Sequence, residues 1–279
     1  MSETSLLAAS GIAKSYEGIV ALDGVDLEVG AGELVGVVGP NGAGKTTLFD
    51  CLLGVTAPDR GTVTFAGVRL GGLPVHRRAR LGVGRTFQRL EMFSGMTARE
   101  HLLVAERARR GDGALWKDAL GLGRTRPDEL ERTGRTLELL RLTDVADRPI
   151  ESLSLGRSRL VDVGRALMTE PRLLLLDEPS SGLDRSETDA LADALRAVHR
   201  ERGVAVLLVE HDLDLVRVFV SRLYVMDSGR VIASGPTDAV LRDEVVQSVY
   251  MGPAGRPAGR PAGRPAGRPA GRPAGRPAG

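Results

Sequence analysis

The run Gly39-Pro40-Asn41-Gly42-Ala43-Gly44-Lys45-Thr46 constrains this chain more than any other feature. It satisfies G-x-x-x-x-G-K-[ST] and follows a short apolar run, Glu33 to Val38, where a strand would hand over to a helix. Glycines let the backbone close around phosphate oxygens, so that successive N–H groups point inward. A helix starting near Lys45 adds its positive end. In such a loop Lys45 reaches the β- and γ-phosphates of a nucleoside triphosphate, and Thr46, followed by Thr47, ligates Mg²⁺. A chance glycine-rich turn accounts for the spacing but not for the strand and helix on either side.

A second apolar run, Leu173 to Leu176, delivers Asp177 and Glu178. An acidic pair at the carboxyl end of a buried strand lies where open α/β sheets bind ligands. Asp177 suits a Mg²⁺ contact, and Glu178 is placed to polarise an attacking water. Arg172 to Leu176 and Val204 to Val209 are continuous apolar stretches, as expected of strands buried on both faces of a parallel sheet. Ser186 to Arg202 reads as the crossover helix between them. Leu6 to Ala13 and Val25 to Val29 alternate like half-buried strands, Gly61 to Ala66 is β-rich, and Val225 to Ala233 reads as a terminal hairpin. Helical periodicity runs from Thr97 to Arg110 and from Glu129 to Leu142. The expected fold is α/β: a mostly parallel core sheet, an antiparallel β portion, and an inserted helical subdomain at about residues 91–165.

With these residues in view, the chain resembles ATP-binding subunits of ABC transporters over essentially all of residues 5–252. The resemblance implies ATP and Mg²⁺ as ligands and several further roles. Tyr16 stands where family members stack on adenine. Gln88, in Arg85-Thr86-Phe87-Gln88, matches the glutamine that senses Mg²⁺ and contacts the membrane partner. Leu153-Ser154-Leu155-Gly156-Arg157 matches the signature motif, Ser181-Gly182-Leu183-Asp184 the loop after the acidic pair, and His211 the histidine that contacts the γ-phosphate. The signature departs from the usual pattern, which has Gly or an aromatic at position 155 and Gln at 157. Ser154 and Gly156 are kept; a serine hydroxyl and an unobstructed N–H at a helix start both suit a phosphate, here the ATP of the opposite subunit. The implied assembly is a head-to-tail dimer with ATP at its interface.

Within the family, Gly84 to Gln88 with Met92-Phe93, Met96 to Ala105, Val209 to Asp214 and Val249 to Gly252 resemble the ATPases of branched-chain amino acid importers. That branch implies transmembrane permease subunits, a second ATPase subunit (a heterodimer, with a homodimer as the alternative) and, indirectly, a solute-binding protein. Phe87, Met92, Phe93 and Met96 are expected to receive a helix of the permease, the alternative being that they pack the insertion. A lipopolysaccharide-export ATPase is the runner-up, and a soluble non-transport ABC ATPase the reading from another class.

Composition bears on partners. The net charge is +2, but six arginines lie in the PAGR repeat from Pro253 onward, and the rest of the chain carries −4 without them. The basic balance is therefore a property of residues 253–279, expected to be disordered, and no nucleic-acid partner is expected. Aromatics at 3% also argue against a base-stacking platform. Cys51 is the one cysteine and, among apolar neighbours, reads as a buried small hydrophobe. No signal peptide and no apolar run of membrane-spanning length is visible, so attachment to the cytoplasmic face of a membrane needs a partner.

Overall fold

The computed structural model describes residues 5–86, 92–110 and 125–251. Among the described residues ten strands form two sheets. The first is antiparallel, in the order β2 (Ile19–Gly30), β1 (Ser5–Tyr16), β4 (Arg60–Phe65), β5 (Val68–Arg69). The second has six strands in the order β10 (Arg230–Pro236), β9 (Arg222–Asp227), β3 (Leu34–Val38), β8 (Ala205–Val209), β7 (Leu173–Asp177), β6 (Val83–Arg85). Its strands run parallel except for the β9–β10 hairpin.

The apolar runs are buried on both faces, and strand alternation divides them. Leu173 and Leu175 face a core shared with the antiparallel sheet and α1 (Lys45–Leu53), where Cys51 is fully buried. Leu174 and Leu176 face the opposite core with helices α5 (Leu155–Met168) and α6 (Arg185–Arg202). Helix α3 (Ala98–Arg110) packs on α4 (Pro127–Leu139) and α5, which makes a helical layer at one end of the sheet. Helix α5 runs unbroken to Met168, so a boundary near residue 165 falls inside a helix. The expected strands are present, and those of the antiparallel sheet's first hairpin are longer. β1 and β2 each reach 12 residues because bulges absorb their breaks in alternation. Short α2 (Val75–Arg80), α7 (Leu213–Phe219), α8 (Thr237–Val240) and the last helix α9 (Glu244–Met251) complete the described chain. The 253–279 repeat and Gln88 lie outside the described residues.

Candidate active site

Register aligns the carboxyl ends of the central strands. Val37 pairs with Val209, and Asp177 with Val209 on the other side, so the three loops that follow leave the sheet side by side. These loops carry Gly39–Gly44, Asp177–Glu178 and Glu210–His211. Two backbone bonds extend the ladder past the strands: Glu178 N–H to the Val209 carbonyl (2.9 Å) and Glu210 N–H to the Val37 carbonyl (3.2 Å).

The first loop needs glycine twice for want of room. At Gly39, with φ 156, a Cβ would lie 2.2 Å from the Met226 carbonyl oxygen. At Gly44, with φ 96, it would lie 2.4 Å from that of Ala21. Neighbouring backbone thus presses the loop from behind, while Asn41, Gly42 and Thr46 are exposed and Thr47 half-buried. The Lys45 ammonium is buried and donates to the Gly39 (2.7 Å) and Pro40 (3.0 Å) carbonyls. Burial pulls its pKa down, and the Glu178 and Asp177 carboxylates oppose that shift. Burial, then the charges of Glu178 and Asp50, push the Asp177 carboxyl up to about 6, against Arg85 and Lys45. Asp50 and Arg85 were not singled out from the sequence; a lone Asp in a helix and a lone Arg on an edge strand carry no local signal.

Among the described residues, no group of three or more His, Cys, Asp or Glu side chains is arranged to hold a metal ion. Mg²⁺ keeps most of its waters and takes one or two protein ligands together with substrate phosphates. The Glu178 and Asp50 charges around Asp177 fit a divalent cation of that kind.

Glu178 is held at φ 45, in the left-handed region that a side chain rarely adopts. His211 follows β8 with its side chain 58% exposed. Tyr16 ends β1, is 45% exposed, and has the Lys14 ammonium 5.3 Å from its ring centre.

The signature segment differs from expectation. Ser154 caps α5, its hydroxyl accepting the Arg157 N–H at 3.4 Å. The Gly156 N–H, however, is not unobstructed: it donates to Glu187 Oε1 at 3.1 Å. The cause is the meeting of two helix starts. Glu187 lies in the first turn of α6, and a Cβ at position 156 would come within 2.9 Å of its side-chain carbons. Leu155 is 40% exposed, and Arg157 pairs with Asp144 at 2.7 Å.

The segment before α3 splits its expected role. Phe93 is half exposed, stacks on His101 at 5.8 Å and has Arg165 over its ring, whereas Met92 packs partly against the helical core. His101 is fully buried and fixes this loop: Nε2 accepts the Phe93 N–H (2.9 Å), so Nδ1 is the protonated nitrogen that donates to the Thr97 carbonyl (2.8 Å). Burial keeps its pKa low. Nearby, a cleft of about 720 Å³ between α2 and β6 on one side and α3 and α5 on the other is lined by Arg80, Arg85, Arg109, Arg165 and Arg172, against Asp162 and Glu170. Phe87 and Gln88 lie outside the described residues.

A family model described as ABC transporter matches residues 22–181. The chain is 37% identical over 252 residues to the high-affinity branched-chain amino acid transport ATP-binding protein BraF of Pseudomonas aeruginosa, covering 89% of this chain and 98% of that one. It is 36% identical to LivG, the protein of the same description from Escherichia coli, with the same coverage. The lipopolysaccharide export system ATP-binding protein LptB of Haemophilus influenzae is 33% identical, covering 89% and 98%. Among solved structures, a nucleotide-free ATP-binding cassette from an ABC transporter superposes with a TM-score of 0.78 at 31% identity, over 89% of this chain and 100% of the other. The chain belongs to the ABC transporter family and is one of its ATP-hydrolysing subunits.

Proposed function

We propose that this subunit powers an importer of branched-chain amino acids or related small polar solutes. It would dock at the cytoplasmic face of the membrane beneath permease subunits, paired with a second ATPase subunit. The observation that carries the reading is the full-length similarity to BraF and LivG, 37% and 36% identical over 98% of those proteins. The lipopolysaccharide-export relative is more distant at 33%. Among the described residues no helix is long and apolar enough to cross a membrane, so translocation itself falls to other subunits.

In this reading residues 1–252 are one ATP-binding domain with a helical subdomain, and 253–279 a tail outside it. The loop Gly39–Thr47 binds the ATP phosphates through its N–H groups and Lys45, and Tyr16 stacks on the adenine. Thr46, Asp177 and Gln88 would hold Mg²⁺, which supplies charge neutralisation on the phosphates. Glu178 orients and deprotonates the attacking water, and His211 steadies the γ-phosphate. Ser154 and Gly156 serve the opposite subunit's ATP once Glu187 has yielded the Gly156 N–H. The arginine-lined cleft beside Phe93 is the docking place for a permease helix.

Glu178→Gln should keep ATP binding and lower turnover about 10²–10⁴-fold; turnover near the wild-type rate would reject the catalytic assignment. For the solute, co-expression with the permease genes nearest its own should restore labelled leucine uptake to a strain lacking its own leucine importer. Uptake unchanged by Glu178→Gln would reject the importer reading while leaving ATP hydrolysis standing.

A further inference from the structure

Among the described residues Glu106, Glu129, Asp162 and Glu210 are buried carboxylates, and Glu210 is the one that adjoins the site while having no role above. Glu210 is 0% exposed and sits between the valine that ends β8 and His211. Its two oxygens are divided between two loops. Oε1 accepts the Ser180 N–H at 2.9 Å, and Ser180 lies two residues beyond Glu178. Oε2 accepts the N–H groups of His211 (3.1 Å) and Asp212 (3.4 Å) and lies 3.8 Å from His211 Nδ1.

From this arrangement we infer that Glu210 is a positioning residue for hydrolysis, clamping the Glu178 loop to the His211 loop; the inference rests on the ATPase reading above. Glu178 has left-handed backbone at φ 45, which persists only where its surroundings over-determine it. Its N–H is anchored on the Val209 carbonyl, and its carbonyl accepts the Ser181 N–H at 3.1 Å. The next fixed point along the loop is the buried Ser180 N–H on Glu210. On the other side, Glu210 gathers the two N–H groups that begin the His211 loop. Charge-assisted bonds from N–H groups to a buried carboxylate are short and strong. Only an ionised carboxylate accepts at both ends. A glutamine in its place turns an NH₂ group toward one set of N–H donors, so one loop must let go.

The test uses the full chain as wild type, Glu210→Gln, Glu178→Gln and the double variant. Amide hydrogen exchange is read at Ser180, His211 and Asp212, with Mg-ATP turnover and ADP affinity beside it. ADP probes the phosphate loop without the γ-phosphate that His211 would meet. For Glu210→Gln the expectation is a fall in kcat of roughly 10- to 100-fold, ADP affinity within about threefold of wild type, and lost protection confined to one of the two loops. Where exchange shows the Ser180 side released, the same change should cost little more in the Glu178→Gln background, because it then acts through Glu178. Equal exchange losses across β7 and β8, additive costs in the double variant despite release at Ser180, or an unchanged kcat would each overturn the inference. If Glu178→Gln itself leaves turnover intact, the ATPase reading fails instead. Should Glu210→Gln not accumulate as folded protein, Glu210→Asp keeps the charge but is one methylene too short to span both loops. It is expected to give the same split between kcat and ADP affinity, and wild-type kcat there would equally overturn the inference.

Discussion

At the scale of single residues, the site is a balance between one buried ammonium and several carboxylates. Lys45 is held by the Gly39 and Pro40 carbonyls and faces Glu178 and Asp177. Lys45→Ala removes the cation from the phosphate seat. ATP affinity should fall roughly 10- to 100-fold, the worth of one charge-assisted bond, when titrated calorimetrically; unchanged affinity would refute the loop's role. Asp177 gives a pH prediction whose sign follows from its raised pKa. In the unfolded chain the carboxyl loses its proton near pH 4, in the folded chain near 6. Between those values the folded state binds the extra proton, so this group's contribution is full below about pH 4 and is lost as pH rises through 6. Asp177→Asn should therefore raise the Tm of nucleotide-free, metal-free protein by a few degrees at pH 8 and by much less at pH 4.5. A gain independent of pH would assign the effect to packing.

Elements show what a sequence discloses and what it withholds. The strands that carry the site were legible because burial on both faces leaves an unbroken apolar run, as at Leu173–Leu176 and Val204–Val209. The phosphate loop was legible because glycine there answers to backbone contacts at fixed spacing. Asp50, Arg85, Glu187 and Glu210 were not, since each matters through a partner distant in sequence, 30 residues in the case of Glu210 and Ser180. The same applies to the meeting of α5 and α6. Sequence shows Gly156 opening a helix but not the Glu187 side chain laid across it. Gly156→Ala should destabilise the lone subunit by about 1–3 kcal/mol, since the new Cβ overlaps Glu187. Adding Glu187→Ala should restore most of that loss, helped by alanine's better helix propensity. Denaturant midpoints decide: a double variant no more stable than Gly156→Ala alone would show that something other than Glu187 demands glycine. The loop ahead of α3 separates by burial in the same way. A charge at half-exposed Phe93 should block transport and spare stability, whereas one at Met92 should lower the Tm because Met92 packs against the helical core.

At the scale of the whole molecule, the proposed pairing with a second ATPase subunit makes a prediction about where the altered signature acts. Gly39–Thr46, Asp177, Glu178 and His211 lie at the carboxyl ends of three neighbouring central strands, whereas the signature segment carries an exposed leucine and an arginine drawn to Asp144. In a head-to-tail dimer each ATP meets one subunit's phosphate loop and the other's signature. A homodimer would put Leu155 and Arg157 in both sites. A heterodimer confines them to the site built on the partner's phosphate loop and leaves this chain's own ATP facing the partner's signature. Purified alone, the chain should be mostly monomeric and slow, because the interface gains little without ATP and a matched surface. The variant Leu155→Gly with Arg157→Gln tests the arrangement. Losing the Arg157–Asp144 pair should barely change stability, because such exposed, solvent-screened pairs contribute little, so a change in turnover is not a change in folding. In the assembled transporter the gain should appear only with the partner's phosphate-loop lysine intact, and should survive Lys45→Ala in this chain. A gain that needs both lysines equally, or brisk cooperative hydrolysis by the lone wild-type chain, would establish a homodimer.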